Sequence, residues 1–213
     1  MNRLAVYGSG GHAKVVIDAA GLAGFDEIVV IDDDAARHGT LLLGRRVVGN
    51  RDTLLAMHPR PAVIVAIGDN RTRRAVADGL VARGLALATV IHPAALIGAG
   101  VALGAGSFVA GGVVINADAR LGRNVIVNTA ASVDHDCDIG DAVHIAPGCR
   151  LCGQVTVGDE TLLGVAATVI PGVVIGRRAL VAAGAVVTRD VADGDAVAGV
   201  PARPMKPSAR HAA

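Results

Sequence analysis

The sequence predicts a chain in two parts. A small parallel α/β unit spans residues 1–90, a three-sided prism of short stacked parallel strands spans 91–190, and a tail runs from 191 to 213. Two observations predict this: a six-residue period in the second part, and a strand, glycine turn and helix in the first. Composition agrees. Hydrophobic residues make up 52% of the 213, yet there is no Trp, one Tyr and two Phe, so the core must be built from branched aliphatics and Ala. A narrow prism interior suits such residues and leaves little room for rings.

Stepping by six from Ile97 to Val187, all sixteen positions are Ile, Leu or Val. Two residues before each site stands a small or β-branched side chain, as in Ser107, Ala119, Cys137 and Thr161. Just after it a glycine or turn-former is frequent, as in Gly98, Gly104, Asn116 and Gly122, and these are expected to supply the positive φ of a corner. A period of six fits neither a 3.6-residue helix nor plain alternation. It fits a short strand, then a corner, repeated. Three hexads close one triangular coil, and about five coils at about 4.8 Å each make a prism about 25 Å tall.

The front part reads differently. Leu4–Tyr7 is a buried strand, Gly8-Ser9-Gly10-Gly11-His12-Ala13 a glycine turn, and Lys14–Ala20 a helix. Ile28–Ile31 is a second strand ending at Asp32-Asp33-Asp34, and Ala62–Ile67 a third, followed by a helix from about Arg71 to Arg83. Gly8-x-Gly10-x-x-Ala13 satisfies the dinucleotide fingerprint, with Asp32 placed for a ribose. Glycines admit a diphosphate to the backbone, and amides at a helix N-terminus favour its charge. About 90 residues hold barely one half of a full dinucleotide fold, so a nucleotide-diphosphate-sugar is preferred over a nicotinamide cofactor.

Several classes are disfavoured. Twenty Lys+Arg against 19 Asp+Glu give net charge +1 without a basic block, and aromatic stacking platforms are missing, so nucleic acid is not an expected partner. No apolar run approaches bilayer length and the first residues lead straight into a strand, so a cytoplasmic chain without membrane insertion is expected. Three cysteines fit no secreted disulfide framework. Cys149-x-x-Cys152 stands alone without a second pair, so no metal is expected.

With these residues in place, the period resembles that of the hexapeptide-repeat acyltransferases. The resemblance implies a left-handed parallel β-helix behind an N-terminal half-Rossmann-like subdomain, usually in trimers with sites in the grooves between neighbours. Gly8-Ser9-Gly10-Gly11-His12-Ala13-Lys14, Ala66-Ile67-Gly68-Asp69-Asn70 and Ile91-His92-Pro93 narrow it to the acetyltransferases of nucleotide-linked 4-amino-4,6-dideoxy sugars and the related sialic acid O-acetyltransferases. The implied substrates are acetyl-CoA and a nucleotide-linked amino sugar, with Gly10, His12, Asp32 and Asp33 as nucleotide-side contacts. The stretch Asn128-Thr129-Ala130-Ala131-Ser132-Val133-Asp134-His135-Asp136-Cys137 resembles the catalytic stretch.

Acyl transfer to an amine needs a base for the amine proton and donors for the oxyanion. Histidine, with an ordinary pKa near 6.5, is largely neutral near pH 7 and suits the first task. His135 lies just past a corner, where a side chain can point outward, and an acid follows it directly. It is the expected base, acting by direct attack without an acyl-enzyme, and the resemblance implies Asp136 as its orienting carboxylate. The resemblance places Asn128 near the sugar, His144 near the acyl group and the Gly153 N–H toward the thioester carbonyl. It also places Gly164, Ala166, Ala182 and Ala183 along the pantetheine. Arg203, in Gly199-Val200-Pro201-Ala202-Arg203, is expected at the phosphates or in a solvated tail with Lys206. The rivals are a sugar O-acetyltransferase, a non-catalytic nucleotide-binding or scaffold prism, and a zinc-dependent γ-class carbonic anhydrase. The last requires a third prism histidine beside His135 and His144, which the sequence lacks. The residues do not reveal the nucleotide base.

Overall fold

The computed structural model of the chain describes residues 2–205; Lys206 lies outside them. The front part is a five-stranded sheet in the order β3-β4-β2-β1-β5. Strands β1 (Arg3–Tyr7), β2 (Glu27–Ile31), β4 (Arg45–Gly49) and β5 (Ala62–Val65) run parallel, and β3 (Leu41–Leu42) is antiparallel to β4. Helix α1 (Gly11–Leu22) follows β1, α2 (Arg51–Leu55) follows β4 and α3 (Asn70–Val81) follows β5. Alternation along β1 decides the layering. Leu4 and Val6 join the core shared with α1, while Ala5 and Tyr7 join a second core with Leu54, Ala77 and Leu80. The β3–β4 hairpin and α2 had no counterpart among the expected elements, because two and five residues span too little of either period. The local signal for α2 was Asn50, whose side chain caps Asp52 and Thr53.

In the second part each coil crosses three faces. The first face stacks Val90–Ile91, Phe108–Val109, Ile126–Val127, His144–Ile145, Leu162–Leu163, Leu180–Val181 and Ala196–Ala198 in parallel. The second face carries Leu96, Val114, Ser132, Arg150, Thr168 and Val186 in register, and the third Ala102, Arg120, Asp138, Thr156 and Val174. From Val109 to Val187 the aliphatic sites are buried, as are the small sites two residues before them. The stack is longer than expected at both ends. It begins at Val90, and two further rungs follow residue 190, with Ile175 bridging Val191 and Val181 facing Val197. The last coil is two residues shorter than the others. At the opposite end no coil lies beneath Ile97, which is 39% exposed.

The corners correct one expectation. Positive φ falls at the third residue after every aliphatic site from Ile97 to Val181, as at Gly112, Asn124, Asp136 and Ala166, and not at the first. The glycines at the first position serve contact instead: a Cβ on Gly104 would lie 2.4 Å from the Gly122 backbone of the next coil. Hydroxyl and thiol groups at the small inward sites satisfy corner carbonyls. Ser107 Oγ donates to Gly122 O at 3.1 Å, Thr161 Oγ1 to Gly176 O at 2.6 Å and Cys149 Sγ to Gly164 O at 2.9 Å. Burial pushes the Cys149 thiol up to about 11, so it sits inside as a neutral donor.

One core runs from Leu4 and Ala13 through Val90 and Phe108 to Val197. The front part therefore packs on the first face and on the corner between the third and first faces. Asn70 Nδ2 donates there to Glu160 O at 2.9 Å and Thr161 O at 3.1 Å, and Arg74 pairs with Glu160 at 2.9 Å.

Candidate active site

The glycine turn opens on a cavity of about 570 Å³ lined by Tyr7, Gly8, Ser9, Gly10, Gly11, His12, Asp32, Asp33, Ala66, Ile67, Gly68, Thr72 and Val76. The fingerprint positions play distinct parts. Gly8 has φ 108° and leaves 3.0 Å between a would-be Cβ and the Ala66 carbonyl, so it closes the turn. A Cβ on Gly10, Gly11 or Gly68 would meet nothing within 4 Å. Their bare backbone borders open space that a ligand can fill. Gly10 caps α1 without a side-chain bond, leaving first-turn N–H groups free for an anion. Ala13 is fully buried, which allows α1 to lie close on the sheet.

The acids after β2 differ. Asp32 accepts from Ser9 N at 2.8 Å and from Ser9 Oγ, and its other oxygen accepts from Asp34 N at 2.9 Å. Burial opposes its charge, but these bonds prevail and hold the carboxyl below its ordinary range. It braces the glycine turn. Asp33 accepts from the Tyr7 hydroxyl and pairs with Arg51 at 3.1 Å, while Arg51 Nε donates to Tyr7 Oη at 3.2 Å. Burial and then Asp33 push the Tyr7 phenol up to about 12. Sequence reading missed Tyr7, Ser9 and Thr72 as pocket groups, and Arg51 as the partner of Asp33 and Tyr7 behind them. Only β-sheet pairing brings Tyr7 beside Asp33, and Arg51 lies 44 positions away from Tyr7.

Two histidines meet where the front part joins the prism. His12 stands edge-on to Phe108, with ring centroids 5.4 Å apart, and 6.4 Å from His144; its Nε2 is buried without a partner. Burial, chiefly, lowers both to about 4. Asn128 Nδ2 donates to His144 Nε2 at 3.2 Å, and the amide is oriented by Thr129 N–H on its Oδ1 at 2.8 Å. The linkage sign follows. Between pH 6.5 and 4 the unfolded chain binds protons that these rings refuse, so stability is complete above pH 6.5 and declines toward pH 4. Each ring contributes at most about 3 kcal/mol, since one pKa unit is about 1.4 kcal/mol. A thermal-melt series from pH 7 to 4.5 is expected to fall, and to fall less steeply in His144→Gln. Equal slopes would contradict the assignment.

His135 is elsewhere on the chain. It occupies the corner between the second and third faces, the vertex opposite the first face. Its Nδ1 lies 2.8 Å from Asp136 Oδ2, its N–H donates to Asp134 Oδ1 at 2.8 Å, and its side chain is 56% exposed. The bond to Asp136, foremost, raises its pKa above the ordinary value. Gly153, on the next coil, is buried directly beneath the ring; a Cβ there would lie 2.6 Å from it.

The expected residues therefore form two groups. Gly10, His12, Asp32 and Asp33 belong to the cavity, and Asn128 and His144 stand beside His12. Gly164, Ala166, Ala182 and Ala183 follow on the corner above Asn128, although Gly164 owes its missing side chain to Ala183 N, 2.6 Å from a would-be Cβ. His135, Asp136 and Gly153 form the second group. Arg203 lies beyond both, near Arg189 in a shallow cleft at the far end of the prism. Within one chain His135 and His144 cannot converge on a single ion, and the Cys137 and Cys149 thiols face backbone carbonyls.

Comparison with known proteins bears on this arrangement. Residues 3–80 match the family model described as the PglD N-terminal domain, and residues 154–189 match the hexapeptide repeat of succinyl-transferase. The acetyltransferase domain of PglB from Neisseria gonorrhoeae is 40% identical with a TM-score of 0.90, covering 96% of this chain and 100% of that one. The chain belongs to the left-handed β-helix, hexapeptide-repeat sugar acetyltransferases. PerB from Caulobacter crescentus, solved with CoA and GDP-perosamine, is 41% identical with a TM-score of 0.91, covering 97% and 98% of the two chains. WeeI from Acinetobacter baumannii is 29% identical with a TM-score of 0.86 over 95% and 99%. Among curated proteins no match was found. Membership makes the stacked coils a left-handed parallel β-helix and the protein an acyltransferase.

Proposed function

We propose that this acyltransferase moves the acetyl group of acetyl-CoA to the C4 amine of a nucleotide-linked 4-amino-4,6-dideoxyhexose, as a homotrimer in the cytoplasm. One observation carries the reading. A nucleotide-sized cavity with open glycine backbone and two acids stands on a chain 40–41% identical, over nearly its whole length, to proteins solved in complex with acetyl coenzyme A or with CoA and GDP-perosamine.

The chemistry assigned to the residues is direct transfer. The amine nitrogen attacks the thioester carbonyl, a C–N bond forms and the C–S bond breaks. Neutral His135 Nε2 takes the amine proton and returns it to the departing thiolate, while Asp136 on Nδ1 stabilises the imidazolium. Gly153, placed beneath the ring, seats the imidazole. Asn128, with a second N–H beyond the one given to His144, faces the sugar.

The trimer answers the division of the site. The cavity packs on the first face and His135 stands at the vertex opposite, so one copy cannot supply both. The second face points Leu96, Val114, Ser132, Thr168 and Val186 outward, interrupted only by Arg150, whereas the third carries Arg120, Asp138 and Thr156. Leu96 is 68% exposed in the single chain. With the second face on a threefold axis, the corner bearing Asn128 in one copy meets the corner bearing His135 in the next.

Complementation tests this. His135→Ala and a cavity variant, Gly10→Trp, are each expected to lose most thiol release. Refolded as a mixture, they are expected to recover a substantial fraction, because some grooves then combine two intact halves. No recovery, in mixtures shown to contain mixed oligomers, would contradict a shared site. Acetylation of hydroxyl but not amino acceptors would instead favour the O-acetyltransferase.

A further inference from the structure

Arg73 is buried to 1% exposure, yet among the described residues no carboxylate pairs with it. All five of its N–H donors are taken by neutral oxygens. Nε reaches Asn124 O at 3.0 Å, and Nη1 reaches Ile67 O and Gly68 O, both at 3.1 Å. Nη2 reaches Asn70 Oδ1 at 2.8 Å and Ala142 O at 2.7 Å. Burying an unpaired charge is costly, and a buried ion is weak evidence of a stability role. The partners point to another one. Gly68 lines the nucleotide cavity, and Arg73 Nη2 reaches, besides Ala142 O, the Val143 carbonyl at 3.4 Å, directly ahead of His144 on the first face. Asn128 Oδ1 is occupied by the Thr129 N–H, so Asn128 Nδ2 is the group that meets His144 Nε2. An Nε2 that accepts leaves the ring proton of the neutral form on Nδ1.

We infer that Arg73 is a positioning residue: by holding the Ala142 and Val143 carbonyls directly ahead of His144 and placing a fixed positive charge beside that ring, it keeps the imidazole neutral, in its Nδ1–H form, with Nε2 committed to Asn128. The contacts thus run from α3 through the strand bearing His144 to the sugar-side amide without Arg73 touching a ligand. The charged and titratable groups facing His144 are Arg73 from α3 and His12 from α1; Asp69, at the cap of α3, faces Arg73. The low pKa of His144, near 4, with burial as its first cause and Arg73 as its second, agrees with this. The functional meaning of the ring's orientation rests on the acyl-transfer reading above.

The test uses ¹⁵N-histidine-labelled full-length protein. In the wild type, the His144 ring is expected as the Nδ1–H tautomer across pH 5–8; an Nε2–H tautomer overturns the inference before any variant is made. Arg73→Gln keeps an amide for the carbonyls but drops the charge. It is expected to raise the His144 titration by about one unit or more toward 6.5 and to steepen the acid limb of kcat/KM below the His135 step. Arg73→Lys keeps the charge and is expected to restore the low titration. A His144 titration unmoved in Arg73→Gln, with the two variants equally impaired, means a purely structural arginine and overturns the inference. Failure of the wild type to release thiol with any amino-sugar acceptor sinks the functional reading and leaves the ring measurement standing.

Discussion

Replacing His135 with alanine is expected to lower kcat by about 10²–10⁴-fold, the usual contribution of a positioned general base. KM for both substrates is expected to stay within about threefold. The thermal midpoint is expected to be unchanged, because the ring lies in an open corner and supports no packing apart from Gly153. The pH dependence adds a sign. The bond to Asp136 raises the imidazole pKa, so kcat/KM declines as pH falls through a value above 6.5, where the base becomes protonated. In Asp136→Asn that support is lost, and the acid limb is expected to move to lower pH while the plateau falls. Stopped-flow thiol detection across pH 5.5–9 measures both. Near wild-type turnover in His135→Ala would remove the base from the mechanism.

The second large effect concerns the coils. Gly104→Ala places a Cβ 2.4 Å from the carbonyl carbon and oxygen of Gly122. These are backbone atoms fixed by the rungs above and below, so the coils must part. Overpacking of this kind costs about 1–3 kcal/mol. At about 2–4 °C per kcal/mol for a chain of this size, the midpoint is expected to fall by up to about 10 °C. Gly184→Ala is the control. Its φ of 68° disfavours alanine by about 1–2 kcal/mol, yet nothing lies within 4 Å, and Ala130, Ala142 and Ala166 already occupy the equivalent corner position. Its midpoint is expected to move less. If the two substitutions melt alike, backbone conformation and not coil contact governs the glycines.

Different parts of the molecule were legible to different degrees. The prism could be read because inward residues recur at a fixed interval: a coil closes after three hexads whatever lies around it. The glycine turn could be read because its backbone demands are local. Arg73 could not. It falls in an ordinary helical stretch, and nothing in Asn70-Arg71-Thr72-Arg73-Arg74 marks which arginine enters the interior. The Tyr7–Asp33–Arg51 cluster was hidden for the same reason, since its members come from β1, the end of β2 and the start of α2. The reason for the glycines after each aliphatic site was misjudged, because a corner's dihedral angles and its distance to the next coil leave the same mark on a sequence.

By itself the sequence determined the period, the class of residue filling the prism, the glycine turn after the first strand and the histidine–acid pair in a corner. Each of these is a preference of neighbouring residues for one backbone shape or one side of a strand. Only the tertiary structure decided that His144 and His12 meet beneath the cavity, that a buried guanidinium holds the carbonyls just ahead of His144, and that His135 stands on the opposite edge of the prism. Those relations depend on how many coils separate two residues and which face the front part covers. They are set by packing between segments far apart in the chain, which no local pattern encodes.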